Sequence, residues 1–232
     1  MLFWDKHSLQ PGIYTGYLKG RSDHAPSRQD FLQRRVVNTF NRFLYMFTEY
    51  KIGHTILDLG GVGSDFCRIS MELGCYRAES IGIEQGIDFE MDKFPYPDSS
   101  FNDVFATSLI EHLHDPSTML SETHRVLRPG GRIIIVTPHW PYCANDFYDA
   151  YTHVQPYTHK SLRVALECHG FETLAFVPWM VEKTDLFWKI PEPWSFRLAS
   201  YLPFDGLDER KWIPSFLKGR SSSLLALARK PK

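Results

Sequence analysis

The stretch "TILDLGGVGSDF", residues 55–66, constrains this chain more than any other. It runs apolar up to Leu59, interrupted by Asp58 alone, and a cluster of glycines follows before a helical pattern begins. A strand without alternation is the mark of a parallel sheet covered on both faces. Glycines at the end of such a strand leave backbone N–H groups bare beside a helix N-terminus, an arrangement suited to holding a ligand. Sheets of this kind bind beyond the carboxyl ends of their strands, near the switch in strand order.

The rest of the chain extends the alternation. "SRQDFLQRRVVNTFNRFLYMF" (27–47) reads as a helix opened by Ser27 and Asp30 as a capping pair, with Leu32, Val36, Phe40, Phe43 and Phe47 on one face. A helix is expected over 64–74, a strand over 79–84 and a further short strand over "IDFEMD" (87–92). Next come a strand over 101–109, a helix over 115–127 with Asp115 as N-cap and Pro116 in its first turn, and a strand over 131–138. A helix over 159–170 closed by Gly170 and strands over 171–177 and 221–230 complete the pattern. This alternation predicts an α/β fold with a doubly wound, mainly parallel sheet. Between Glu84 and Asp92 stands only "QGIDFEM", shorter than the roughly dozen residues of a helical crossover. The connection after the second strand is therefore shortened. The expected division is an N-terminal extension and helix over 1–50, then one domain over 51–232 carrying an aromatic- and proline-rich insertion at 178–217.

Charge and cysteine content narrow the classes. Twenty-six basic residues against 27 acidic ones leave a net charge of −1, with no basic excess for nucleic acid. "MLFWDKHSLQPG" lacks the basic and apolar regions of a secretory leader, and no run of about 18 apolar residues is present to span a membrane. Cys67, Cys75, Cys143 and Cys168 form no CxxC pair, which favours a reduced, cytoplasmic protein over a zinc or disulfide framework.

Asp58, Gly60, Gly61 and Gly63 end the first strand, and Glu84 closes the second. A carboxylate at Glu84 suits the two hydroxyls of a ribose. The nicotinamide fingerprint GxGxxG fails, because Phe66 stands at the sixth position counted from Gly61.

The segment "DKFPYPDSSFNDVFATSLIEHLHDPSTMLSETHRVLRPGGRIIIVTPH" resembles the class I S-adenosylmethionine-dependent methyltransferases, in particular type 11-like members of the glycan and small-molecule branch. Asp92, "FPYPDSSFND", "EHL" and "RVLRPGG" stand in that family's order, and "LDLGGVGSDF" aligns without gaps on its "LDLGCGTGDF". The resemblance covers about residues 55–177. It implies a Rossmann-like fold and S-adenosylmethionine as cofactor. It also implies roles: the Gly60–Gly63 turn under the methionine and ribose, Glu84 on the ribose hydroxyls, Asp92 facing the adenine amino group, and Ser108 and Leu109 beside the methionine end. Val62 departs from the family's glycine. A left-handed conformation there would cost about 1–2 kcal/mol, so either Val62 keeps negative φ or the cofactor is held less tightly. A catalytically inactive, methyltransferase-like binding module is the rival reading.

Methyl transfer to a hydroxyl needs alignment and a base, and histidine suits the latter role. His112, His139 and His153 follow the fourth and fifth strands. His153 leads, because the resembling proteins carry a histidine before a helix start like "PYTHKSL". Asp146, Asp149 and His153 also have a spacing open to a divalent metal, although the reading adopted has none. The insertion holds Trp179, Trp188, Trp194 and Trp212 and reads as a packed layer, a lid, or an interfacial patch for a lipid-linked substrate. Exposure of Trp188 and Trp194 would favour the patch, and burial would remove it. The expected partners are a small-molecule, sugar or lipid-linked glycan acceptor, with peripheral membrane contact left open.

Overall fold

A computed structural model describes residues 26–61, 65–181, 185–205, 210 and 212–232. Helix α1 (Pro26–Thr48) leads into strand β1 (Thr55–Leu59), helix α2 (Phe66–Glu72) and strand β2 (Arg77–Ile81). Strand β3 (Phe101–Thr107), helix α3 (Ser117–Val126) and strand β4 (Leu127–Pro138) follow, then short helix α4 (Trp140–Cys143), helix α5 (His159–Cys168) and strand β5 (Glu172–Pro178). Helices α6 (Leu186–Lys189) and α7 (Trp194–Tyr201), the short strands β6 (Phe204–Asp205) and β7 (Lys218–Arg220), and strand β8 (Ser223–Arg229) end the chain.

The main sheet has the order β2-β1-β3-β4-β8-β5. The first four strands pair in parallel, and β8 inserts antiparallel between β4 and β5. Period-two geometry sends alternate residues to opposite faces. Leu57, Leu59, Val104, Ile133, Ile135 and Leu224 therefore pack with Met119 and Leu120 of α3 and Leu162 and Leu166 of α5. Ile56, Phe105, Ile134, Val136, Leu225 and Leu227 meet Val37, Phe40 and Phe43 of α1 and Phe66 and Ile69 of α2. Both faces are buried over the central strands, which is why β1, β8 and much of β3 and β4 read apolar, whereas the edge strand β2, "RAESI", is half-exposed.

"IDFEMD" is not a strand. It is a run of turns in which Asp92 Oδ2 accepts the Asp88 N–H at 2.8 Å and the Asp92 N–H donates to Asp88 O at 2.8 Å. Phe89 and Phe94 from the same link are buried, ring against ring at 5.8 Å. A local side-chain bond and two aromatic plugs thus hold this segment in place of pairing with the outer edge of β2. Arg125 of α3 clamps the link by donating to Phe94 O (3.0 Å), Tyr96 O (2.8 Å) and Asp98 Oδ1 (2.7 Å), and Glu122 accepts the Phe94 N–H at 2.8 Å.

Other boundaries shift modestly. Ile83 and Glu84, expected as the end of the second strand, instead open a 3-10 turn over Ile83–Gln85. Helix α3 starts at Ser117 with Pro116 in the cap position, while Asp115 still accepts the Ser117 N–H at 2.9 Å. Strand β4 begins at Leu127, but its pairing jumps from Phe101↔Leu127 to Asp103↔Arg132, so "RPGG" bulges outward. Asp30 is engaged by Arg34 (2.7 Å) and by Arg68 of α2 (2.6 Å), tying α1 to α2. The side chain of Ser27 lies outside the described residues.

The insertion after β5 joins both layers. Trp179 stacks on Phe40 (4.7 Å), and Trp188 is buried edge-on against Phe43 (5.5 Å). On the other face, Phe196 of α7 is buried with the α3/α5 core. Trp194, Tyr201, Trp212 and Phe216 are exposed. Among the described residues, no helix is long and apolar enough to cross a membrane.

Candidate active site

The chain leaves β1 outward to β2 and returns to β3 on the other side of β1, so the strand order reverses between β1 and β3. The carboxyl ends of these strands carry the candidate residues. Gly60 follows β1 with φ +79°, and its N–H donates to Ile81 O at 2.8 Å, locking the turn onto β2. A side chain at Gly60 would come 3.3 Å from Leu109 Cδ1, and that conformation suits glycine regardless of space. At Gly61 a Cβ would fall 1.8 Å from Asp58 Oδ2. The largely buried Asp58 therefore occupies the space in front of Gly61, and no side chain fits there. The Gly63 and Val62 positions lie outside the described residues.

Glu84 stands exposed on the 3-10 turn just past β2. Asp92 is half-buried, with one carboxylate oxygen committed to the Asp88 N–H. Ser108 has φ +51°, and its N–H donates to Val136 O at 2.8 Å. This left-handed kink turns the chain from β3 across the sheet end, where Leu109 packs over Gly60. Glu84, Asp92, Ser108 and Leu109 thus stand on the loops that leave β2 and β3.

The kink is followed by a 3-10 turn, Ile110–His112, holding two polar residues. Glu111 is 1% exposed; its Oε2 accepts Thr137 Oγ1 at 2.9 Å, while Oε1 has no hydrogen-bond partner among the described residues. Burial pushes the Glu111 carboxyl up to about 7, partly offset by its hydrogen bonds. His112 Nδ1 lies 3.0 Å from Thr152 O, and His153 Nδ1 lies 2.7 Å from Phe147 O. The two rings meet edge to face at 4.9 Å. Ligand atoms of Glu111, His112 and His153 all fall within 4.8 Å of one another. Asp146 and Asp149 do not join His153 in such a group among the described residues.

His139 is separate. It is 1% exposed, enclosed by Tyr142, His159 and Phe196, and its Nε2 accepts the His159 N–H at 3.3 Å. Burial pushes the imidazole down to about 4, with the neighbouring His159 adding to the effect. His112 and His153, weighed as alternatives from sequence, are brought together. Glu111 was missed. It stands in the "EHL" motif, but a lone glutamate after a strand reads as an exposed acid until its burial is known.

Residues 62–135 match the methyltransferase domain family. Methyltransferase GfsG of Streptomyces halstedii is 31% identical over 112 residues, covering 40% of this chain and 40% of that protein. The chain thus spans about two fifths of the length of that curated relative. An S-adenosylmethionine-dependent methyltransferase structure from Mesorhizobium loti aligns with TM-score 0.54 and 18% identity, covering 77% of this chain and 92% of the other. One from Archaeoglobus fulgidus aligns with TM-score 0.52 and 17% identity, covering 85% and 94%. The fold is the Rossmann-like fold of class I methyltransferases.

Proposed function

We propose that this chain transfers a methyl group from S-adenosylmethionine to a hydroxyl of a small-molecule acceptor, with sugars and lipid-linked glycans the favoured class. The observation that carries the reading is the glycine turn Gly60–Gly61, held bare under Leu109 at the strand-order switch, with Glu111, His112 and His153 on the same end of the sheet. The methyltransferase-domain match supports it, because it contains Glu84, Asp92 and the turn from Ser108 to His112.

S-adenosylmethionine, when bound, supplies a methyl group on a sulfonium ready for in-line displacement. The residues present fit it: Gly60 and Gly61 offer backbone without side chains, and Glu84 is an exposed carboxylate just past β2, the strand onto which that turn is hydrogen-bonded. On this reading Glu84 accepts from the ribose hydroxyls and Ser108 and Leu109 border the methionine end. Asp92 is a weaker contact, since one of its oxygens already closes its own turn. His112 and His153 face the acceptor side and manage the hydroxyl proton. His139 is too enclosed to reach a substrate and holds α5 and α7 in place instead. The inactive-module reading has less support, because the glycine turn and Glu84 are both retained.

Calorimetric titration with S-adenosylmethionine and S-adenosylhomocysteine tests the reading. Micromolar binding is expected, weakened about tenfold or more in Glu84→Ala, as loss of charge-assisted hydrogen bonds implies. Wild-type protein that binds neither ligand at millimolar concentration would overturn it.

A second reading concerns location. Trp194, Leu198, Tyr201, Trp212 and Phe216 are exposed, with Arg197 over the Trp194 ring at 5.2 Å and Arg210 over Trp212 at 5.5 Å. Aromatics paired with arginines favour peripheral contact with an anionic membrane surface by a cytoplasmic protein. Trp188 takes no part, being buried against Phe43.

A further inference from the structure

We infer that Glu111, His112 and His153 form a site for a divalent first-row transition cation at the acceptor end of the sheet. Their ligand atoms, drawn from two separate segments, lie within 4.8 Å of one another. A cation bound about 2.0–2.2 Å from each would draw them somewhat closer, a contraction that small ring rotations of two half-buried imidazoles supply.

The two segments are locked together independently of any ligand. The Val154 and Gln155 N–H groups both donate to Glu111 O, at 2.9 and 3.1 Å. Thr152 O receives His112 Nδ1 at 3.0 Å, so the loop carrying His153 is stapled to the turn carrying the other two. Such preorganisation lowers the ordering cost of binding.

Both imidazoles are set in the metal-binding tautomer. A backbone carbonyl can only accept, so the Nδ1 atoms facing Thr152 O and Phe147 O carry the protons. The ring lone pair then falls on Nε2, and the carbonyl bonds play the orienting part that outer partners play around metal-bound histidines.

Glu111 supplies the independent sign of a ligand. It is 1% exposed, Thr137 satisfies Oε2, and Oε1 has no hydrogen-bond partner among the described residues. Buried polar atoms are normally paired, and a cation bound between Oε1 and the imidazoles removes the exception.

The donor set selects the cation. Two imidazole nitrogens and one carboxylate oxygen suit Zn²⁺, Co²⁺, Mn²⁺ or Fe²⁺, whereas Ca²⁺ and Mg²⁺ prefer sites built from oxygen. Three protein ligands leave at least one coordination position open. Resting on the methyl-transfer reading above, that position takes the acceptor's hydroxyl oxygen and so selects acceptors with an oxygen able to coordinate; with the cation bound, its charge takes over from the two imidazoles the task of favouring loss of the hydroxyl proton. The cation site itself does not depend on that reading.

The test is titration of the full chain, stripped with chelator, by Co²⁺ and by Zn²⁺. One Co²⁺ per chain with a visible absorption band, displaced by Zn²⁺, is expected. Glu111→Gln and His153→Gln should each weaken uptake by about tenfold or more and alter the band, while Asp146→Asn leaves both unchanged. Circular dichroism checks folding, and His153→Gln, at a half-buried position, decides the matter if Glu111→Gln does not fold. No saturable uptake by wild type, or equal uptake by the folded variants, overturns the proposal. S-adenosylmethionine titrated into the same samples reports on the methyl-transfer reading separately, so either can fail alone.

Discussion

Glu111 and His139 are both almost wholly buried, and burial moves their titrations in opposite directions because it opposes charge of either sign. Glu111 is pushed up to about 7 and His139 down to about 4. For His139 the consequence is a stability that depends on acid. Above its ordinary value of 6.5 the imidazole is neutral in both states, and its contribution is full. As pH falls from 6.5 toward 4, the unfolded chain takes up a proton that the folded chain refuses, so stability declines through that window. His159, whose Nε2 is 3.4 Å from Glu192, faces the same ring. We expect unfolding free energies from urea denaturation at about pH 8 and about pH 5 to differ by about 1–3 kcal/mol in wild type, with most of that difference absent in His139→Phe. An unchanged slope in the variant would mean that His139 is protonated in the fold after all.

At the scale of elements, strands β3 and β4 are joined at their outer end by a buried ion pair as well as by their ladder. Arg132 forks onto Asp103 at 2.6 and 2.8 Å, and it also donates to Thr48 Oγ1 (3.0 Å) and Lys51 O (2.9 Å). One guanidinium thereby fastens the end of α1 and the approach to β1 onto the sheet. Asp103→Ala leaves that charge uncompensated in the interior, and a loss of about 3–5 kcal/mol in denaturant unfolding is expected. A loss below about 1 kcal/mol would show that water reaches Arg132 and that the pair is replaceable. Helix α5 illustrates a boundary that local chemistry sets. The Ser161 N–H donates to Thr158 Oγ1 and the Thr158 N–H donates to Ser161 Oγ, a reciprocal cap visible in "THKS". The "FPYPD" and "ETHRVL" motifs are two halves of one contact, since Arg125 and Glu122 of the second hold the backbone of the first.

Across the whole molecule, the insertion after β5 divides its aromatics between core and solvent. Trp188 and Phe196 are buried on opposite layers, whereas Trp194 and Trp212 are 58% and 73% exposed. If the exposed set meets a membrane, the protein should sediment with anionic vesicles, and the double substitution Trp194→Ala/Trp212→Ala should weaken this about tenfold. Equal sedimentation of the two proteins would remove the membrane role.

The order of strands and helices, the burial of both sheet faces and the glycine turn were legible in sequence, because periodicity and glycine act locally. "IDFEMD" was misread for the same reason: its apolar residues pattern like a strand, but Asp88 and Asp92 close the backbone into a turn and its phenylalanine packs against Phe94, contacts that no alternation reveals. Which histidines gather, and that a buried Glu111 lies beside them, was decided by the tertiary structure alone. Residues 111 and 153 meet only because a left-handed kink at Ser108 and a stapled loop bring distant segments together. A side chain's ionisation and partners depend on that enclosure, which no local pattern encodes.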